Sequence, residues 1–128
     1  MTTILYVEDN DDHAFMMTER LRRHGIKVRH VETGEKALLS AMRDPPAAVL
    51  LDINLTGIGG LGVLRRLRAD PATHALPVIV VSASVQEQAR VSAMEAGADA
   101  FVAKPVDFVQ LMDLLSSWLP AQKGGERP

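Results

Sequence analysis

A chain of 128 residues is long enough for one domain of ordinary size and short for two. The hydrophobic fraction of 47% excludes an intrinsically disordered chain, and the net charge of −2 argues against general attraction to nucleic acid or anionic lipid. The absence of cysteine excludes disulfides and thiolate chemistry and suits a cytoplasmic location. No apolar run reaches the length of a membrane span, and the first residues do not resemble a secretory signal.

Five short segments are predicted to be β-strands. Four are apolar and bounded by polar or turn-forming residues, and the second alternates weakly, which predicts an outer strand. In chain order the five segments are residues 4–7, 27–31, 47–52, 77–82 and 100–103. The third and fourth segments are the most uniformly apolar, which favours positions inside the sheet with both faces covered.

Helical periodicity follows each predicted strand. Asn10 or Asp11 is a candidate N-cap for the first helix, Gly25 is a plausible stop for it, and Pro45-Pro46 ends the second. The apolar stripes that define the five helices are Ala14, Met17 and Leu21; Ala37, Leu38, Ala41 and Met42; Leu61, Leu64 and Leu67; Ala89, Ala93 and Ala96; and Leu111, Leu114, Leu115 and Trp118.

Strict alternation of strands and helices predicts an α/β domain with a parallel sheet covered by helices on both faces. The expected architecture is a five-stranded, doubly wound sheet with the strand order 2-1-3-4-5. We expect this domain to span residues 1–120, with residues 121–128 as a flexible tail.

Polar side chains stand where four of the predicted strands end. Glu8 and Asp9 follow the first strand, Asp52 and Ser82 end the third and fourth, and Lys104 follows the fifth. Sheets of this kind bind ligands beyond the carboxyl ends of their strands, near the point where the strand order reverses. The first and third strands flank that point, so three carboxylates are predicted to converge there.

Neighbouring carboxylates repel one another, and a divalent cation removes that conflict. A cluster of hard oxygen ligands suits Mg²⁺, with Mn²⁺ as an alternative, and the chain has no thiolates or clustered imidazoles for zinc or copper. Taken singly, each of these residues has an ordinary explanation as a turn former, helix cap or solvated charge. Their occurrence at successive strand ends favours a functional site.

Such a site suits phosphoryl transfer. The cation can neutralise charge in an in-line transfer, and a carboxylate can be the nucleophile, which gives an acyl phosphate. Lys104 and Ser82 can each bind a further phosphoryl oxygen. His13 comes close after the acidic pair and could border the site, although a partly exposed histidine in a first helical turn is the more ordinary interpretation.

From about residue 4 to residue 118 the chain resembles the response-regulator receiver family of two-component signalling. The acidic pair, the phosphoacceptor, the hydroxyl and the Lys-Pro pair of that family all have counterparts here, at fitting distances along the chain. In chain order these counterparts are Glu8-Asp9, Asp52, Ser82 and Lys104-Pro105.

The resemblance implies a flavodoxin-like fold and a role for each site residue. Asp52 would be the phosphorylation site, and it would ligate Mg²⁺ together with Asp9 and the backbone carbonyl of Asn54. Glu8 would act mainly through a metal-bound water. The Lys104–Pro105 peptide bond would be cis.

The resemblance also implies a switch. Ser82 would move toward the phosphoryl group, and Phe101 would turn into the space that Ser82 vacates. The small side chain of Ala83 would keep access open, and Ser84 occupies a position that influences the lifetime of the acyl phosphate. One departure is Thr56, which stands where the family usually has proline, so we expect a less rigid loop.

The expected function is therefore that of a bacterial, single-domain response regulator, not an enzyme in the ordinary sense. A sensor histidine kinase or a histidine phosphotransfer protein would donate the phosphoryl group, and slow self-hydrolysis would remove it. Phosphorylation would alter the face formed by the fourth helix, fifth strand and fifth helix, which would bind a protein partner or a second copy as a homodimer. No DNA-reading helices are predicted, so nucleic acid is not an expected partner.

Two alternatives remain open at this point. Residues 52–56 loosely resemble the aspartate-nucleophile motif of haloacid-dehalogenase-type phosphatases, but Asn54 replaces the second acid, the motif follows the third strand instead of the first, and a cap domain is missing. The other alternative is a scaffold with the receiver fold that binds partners without phosphorylation. The complete set of acids, hydroxyl and lysine argues against it.

Overall fold

The sheet consists of five parallel strands in the order β2-β1-β3-β4-β5, as the sequence predicts. The structure is a computed structural model that describes residues 2–55, 57–84 and 86–119. Each strand lies within one residue of its predicted bounds at either end. The strands are β1 (Thr3–Val7), β2 (Lys27–Val31), β3 (Ala48–Asp52), β4 (Val78–Ser82) and β5 (Ala100–Ala103).

A helix follows each strand. The five are α1 (Asp11–Arg22), α2 (Gly34–Arg43), α3 (Gly59–Ala69), α4 (Glu87–Glu95) and α5 (Phe108–Trp118). The side chains of Asn10, Thr33 and Asp107 cap α1, α2 and α5 by accepting hydrogen bonds from free backbone N–H groups. In contrast, α3 begins without a side-chain cap and without an acidic residue in its first turn.

The core forms two layers because side chains of a strand alternate between the faces of the sheet. One layer packs against α2, α3 and α4 and includes the strand residues Leu5, Val7, Val49, Leu51 and Val80. The other packs against α1 and α5 and includes Ile4, Tyr6, Ala48, Leu50 and Ile79. All residues of β3 and β4 are buried, so the strands that hold Asp52 and Ser82 are fixed from both sides.

The predicted helical stripes are wider than the buried ones. Met42 was expected in the core, but it is 49% exposed, because the buried face of α2 is centred on Ala37 and Ala41. Similarly, Leu114 and Trp118 are only partly buried at the margin of the layer that α5 covers. Thr56 and the predicted tail, residues 121–128, lie outside the described residues.

Arg68 ties the carboxyl end of α3 to two loops. Its guanidinium donates hydrogen bonds to the backbone carbonyls of His74 at 3.0 Å, Leu76 at 2.7 Å and Gly97 at 2.9 Å. It also forms an ion pair of 2.9 Å with Asp99, whose carboxylate accepts the backbone N–H of the first residue of β4. The Arg68 side chain therefore joins α3 to the loops before β4 and β5, at the end of the sheet opposite the polar strand ends.

Gly60 lies where α3 crosses the end of β3. A Cβ atom at this position would approach Ile53 Cα to 2.5 Å and the carbonyl oxygen of Asp52 to 2.7 Å, and a backbone cannot yield as a flexible side chain can. We expect Gly60→Ala to lower the free energy of unfolding by about 2–3 kcal/mol, measured by urea denaturation.

Gly62 is the matched control for this substitution, because it lies in the same helix and its nearest neighbour would be Ile58 at 3.4 Å. Since alanine favours the helix by about 1 kcal/mol over glycine, Gly62→Ala should leave the protein at least as stable. Equal losses in the two variants would contradict the proposed close approach at Gly60.

Candidate functional site

The three predicted carboxylates converge at the carboxyl edge of the sheet. Glu8 and Asp9 follow β1, and Asp52 is the last residue of β3, the strand that pairs with β1. One carboxylate oxygen from each lies within 4.8 Å of the other two. Glu8 and Asp52 are buried, whereas Asp9 is exposed.

Asp52 is held by two different donors. The backbone N–H of Asn54 donates to Asp52 Oδ1 at 2.9 Å, and Lys104 Nζ donates to Oδ2 at 3.3 Å. The residue is only 4% exposed, so its orientation is fixed by these contacts and by the buried strand beneath it. A carboxylate oriented in this way can act as a nucleophile without first losing conformational freedom.

Lys104 provides the cation of the site. It follows β5, the peptide bond to Pro105 is cis as predicted, and Nζ lies 2.9 Å from Glu8 Oε1 as well as 3.3 Å from Asp52 Oδ2. Burial acts to lower the pKa of Lys104, but the hydrogen bond to Glu8 and the charges of Asp52 and Glu8 outweigh it, and the pKa is raised. The ammonium group therefore stays protonated throughout the neutral range.

Glu8 is enclosed by donors. Besides Lys104, the phenol of Tyr6 donates to Oε1 at 2.9 Å and the backbone N–H of Asn10 donates to Oε2 at 3.2 Å. Burial raises the pKa of Tyr6, and the neighbouring charge of Glu8 raises it further, so the phenol is the donor in this pair. Tyr6 is not among the residues predicted for the site, although its polar hydroxyl two residues before Glu8 in an apolar strand was an available signal.

His13 borders the site, as the sequence allowed. Its Nδ1 atom lies 3.1 Å from Lys104 Nζ and 3.8 Å from Glu8 Oε1. Its side chain is 49% exposed, which also fits the ordinary interpretation of a first-turn histidine. His13 therefore contacts Lys104 at the edge of the site, where solvent also reaches it.

Ser82 and Phe101 lie on the side of the site formed by β4 and β5. Ser82 is fully buried at the end of β4, and its Oγ accepts the backbone N–H of Ser84 at 3.0 Å. Phe101 lies in β5, opposite Val80 of β4, and is partly buried against the core layer on the side of α4. An open cleft of about 550 Å³ runs from Asn54 and Ser82 toward α4 and gives access to this edge of the sheet.

The donor set fits Mg²⁺. Three carboxylates offer only hard oxygen atoms, and their mutual repulsion is offset in part by a single ammonium group, that of Lys104. Asp9 is the exposed member of the group, so a hydrated cation can approach it from solvent. Within the described residues, no helix combines the length and the apolar character required to span a membrane.

This fold and this arrangement of acids, hydroxyl and lysine define a receiver domain. The chain matches the response regulator receiver domain over residues 4–116, and it belongs to that family. Protein PilH of Pseudomonas aeruginosa is 34% identical over 93% of this chain and 98% of PilH. Response regulator PleD of Caulobacter vibrioides is 34% identical over 84% of this chain, which spans 24% of PleD.

A solved structure shows the same fold with a metal. The receiver domain of the sensor histidine kinase PA1611 from Pseudomonas aeruginosa holds a magnesium ion coordinated in its active-site cleft. It is 31% identical to this chain, with a TM-score of 0.85, and the match covers 91% of this chain and 96% of that domain. This chain is thus a response-regulator receiver of bacterial two-component type, with an acidic group where such domains bind Mg²⁺.

Proposed function

We propose that this receiver accepts a phosphoryl group on Asp52 from the phosphohistidine of a sensor histidine kinase or a histidine phosphotransfer protein. The observation that carries the proposal is the position of Asp52, a buried carboxylate 3.3 Å from the ammonium of Lys104 and grouped with the acids Glu8 and Asp9. A cytoplasmic location, where such donors present their phosphohistidine, belongs to the same proposal.

Mg²⁺ would be held by Asp9, Asp52 and the backbone carbonyl of Asn54, with Glu8 as an acceptor for metal-bound water. When bound, the ion neutralises negative charge on the transferred group. The contacts of Glu8 support its indirect role, because three protein donors already occupy its two oxygen atoms.

In the transfer step a carboxylate oxygen of Asp52 attacks phosphorus as the bond from phosphorus to the donor nitrogen breaks. The electron pair of that bond returns to the donor imidazole, and Asp52 becomes an acyl phosphate. Lys104 then shifts from the carboxylates to a phosphoryl oxygen, and the hydroxyl of Ser82 donates to another. Both groups lie at strand ends on the β4–β5 side of Asp52, which supports these roles.

The same two contacts supply the switch. As Ser82 turns toward the phosphoryl group, Phe101 packs inward, and the face formed by α4, β5 and α5 changes shape. The partial burial of Phe101 supports this step, since the ring can move without opening the core. That face would bind a protein partner or a second copy of the chain.

The test is intact-mass spectrometry of the full chain after incubation with acetyl phosphate and Mg²⁺. We expect a mass gain of one phosphoryl group. No gain should occur when a chelator removes Mg²⁺ from the reaction, and hydroxylamine should release the group afterwards, as it does from an acyl phosphate. A gain resistant to hydroxylamine would place the group on a hydroxyl and contradict the proposal. The absence of any gain would favour the scaffold, and steady hydrolysis of a phosphomonoester would favour a phosphatase.

A further inference from the structure

Glu8 Oε1 accepts hydrogen bonds from two donors, one neutral and one positively charged. The phenol of Tyr6 and the ammonium of Lys104 each lie 2.9 Å from this one oxygen. Glu8 is 1% exposed, so water does not compete for the position. The hydrogen bond from the phenol therefore reduces the negative charge on Oε1 that attracts Lys104.

The phenol is fixed in place by packing. Tyr6 is the next-to-last residue of β1, is 1% exposed, and its ring belongs to the layer covered by α1 and α5. Because successive side chains alternate across a strand, Tyr6 and Glu8 point to the same face of the sheet. The hydroxyl oxygen of Tyr6 is the atom that contacts Glu8 at the carboxyl edge of the sheet. An apolar side chain at this position could fill the core but could not make that contact.

Lys104 has to change partners if Asp52 is phosphorylated. In the resting site its ammonium is bound to Glu8 at 2.9 Å and to Asp52 at 3.3 Å. A phosphoryl group on Asp52 would compete with Glu8 for the ammonium of Lys104. The more negative charge Glu8 carries, the more strongly it retains Lys104. A donor that shares Glu8 Oε1 weakens that attraction.

We propose that Tyr6 is a positioning residue for phosphoryl transfer: its hydroxyl weakens the attraction of Glu8 for Lys104 and leaves the ammonium available to the phosphoryl group. This inference rests on the proposed function, because it assigns Tyr6 a part in loading Asp52. The hydroxyl of Tyr6 donates to Glu8 Oε1, so its effect on the site would pass through Glu8.

Tyr6→Phe removes only the hydroxyl and tests this directly. Because a hydrogen bond to a charged group is lost, we expect the phosphorylation rate at saturating acetyl phosphate to fall by about tenfold, with the half-saturating donor concentration unchanged. Beryllofluoride, which mimics the phosphoryl group, should bind about tenfold more weakly. The Mg²⁺ concentration for half-saturation should not rise, because Glu8 keeps its full charge.

Thr73→Val is the matched control, since it also deletes a buried hydroxyl, one that donates to the carbonyl of Leu67 at 2.7 Å. It should lower stability without changing phosphorylation or beryllofluoride binding. In a Glu8→Gln background, Tyr6→Phe should alter beryllofluoride affinity by less than about twofold, because the charge that Tyr6 shares is gone.

The outcomes separate the two proposals. If the wild-type chain takes no phosphoryl group, the proposed function fails and the inference fails with it. If the wild-type chain is phosphorylated and Tyr6→Phe matches it in rate and beryllofluoride affinity, only the role of Tyr6 is overturned. An equal effect of Tyr6→Phe with and without Glu8→Gln would also overturn it, because the hydroxyl would then act by another route.

Discussion

Asp52→Asn should abolish the phosphoryl gain, with the rate from acetyl phosphate reduced by at least about a hundredfold. The amide lacks the negative charge needed for attack on phosphorus, and it also removes an oxygen ligand from the acidic group. The amide can still accept the backbone N–H that holds Asp52 Oδ1, so the loop after β3 should keep its position. Intact-mass spectrometry, with circular dichroism to verify the fold, is the measurement.

Asp12→Asn makes the same chemical change at an exposed position in the first turn of α1 and is the control. It should be phosphorylated at the wild-type rate. A phosphoryl gain that persists in Asp52→Asn would move the acceptor to another residue and would contradict the proposed assignment.

The second large effect concerns stability. Arg68→Ala should lower the free energy of unfolding by about 3 kcal/mol, because three backbone carbonyls and the carboxylate of Asp99 lose their shared donor at once. The Arg68 side chain is 21% exposed, so water can replace only part of these contacts. Chemical denaturation followed by circular dichroism gives the value.

Arg66→Ala, two residues earlier on the exposed face of α3, is the matched substitution and should change stability by less than about 0.5 kcal/mol. If both variants lose the same stability, the effect comes from the loss of positive charge on α3, and the hydrogen bonds of Arg68 contribute little.

Much of this fold follows from pattern alone. Uniformly apolar strands such as β3 and β4 favour cover on both faces, and the alternation of strands with helices predicts a parallel sheet between two helical layers that provides it. Once that architecture is fixed, residues at strand ends must share an edge. The convergence of Glu8, Asp9 and Asp52, with Lys104 beside them, was therefore predictable from positions in the chain.

The contacts that tune the site were not predictable in this way. Tyr6 has the periodicity of a core residue, and only three-dimensional packing shows that its hydroxyl reaches Glu8. Arg68 meets the carbonyl of Gly97, 29 residues away, through a side chain that can adopt many rotamers. Periodicity specifies which face a residue occupies, but it does not specify where a long side chain ends.

The two sides of the acidic site are unequally restrained. On the side near β1, Glu8 is bound by Tyr6, Asn10 and Lys104, whereas the open cleft beside Asn54 and Ser82 is lined by the start of α3, a helix that has no side-chain cap. If the proposed phosphoryl transfer holds, we expect adaptation to a bulkier donor at the positions of α3 that line this cleft without contacting β3. A substitution at Gly62, which lies in the lining of the cleft and clear of the Asp52 backbone, would change that side while Glu8 and Lys104 keep their contacts, so we expect donor preference to vary without loss of the charged group.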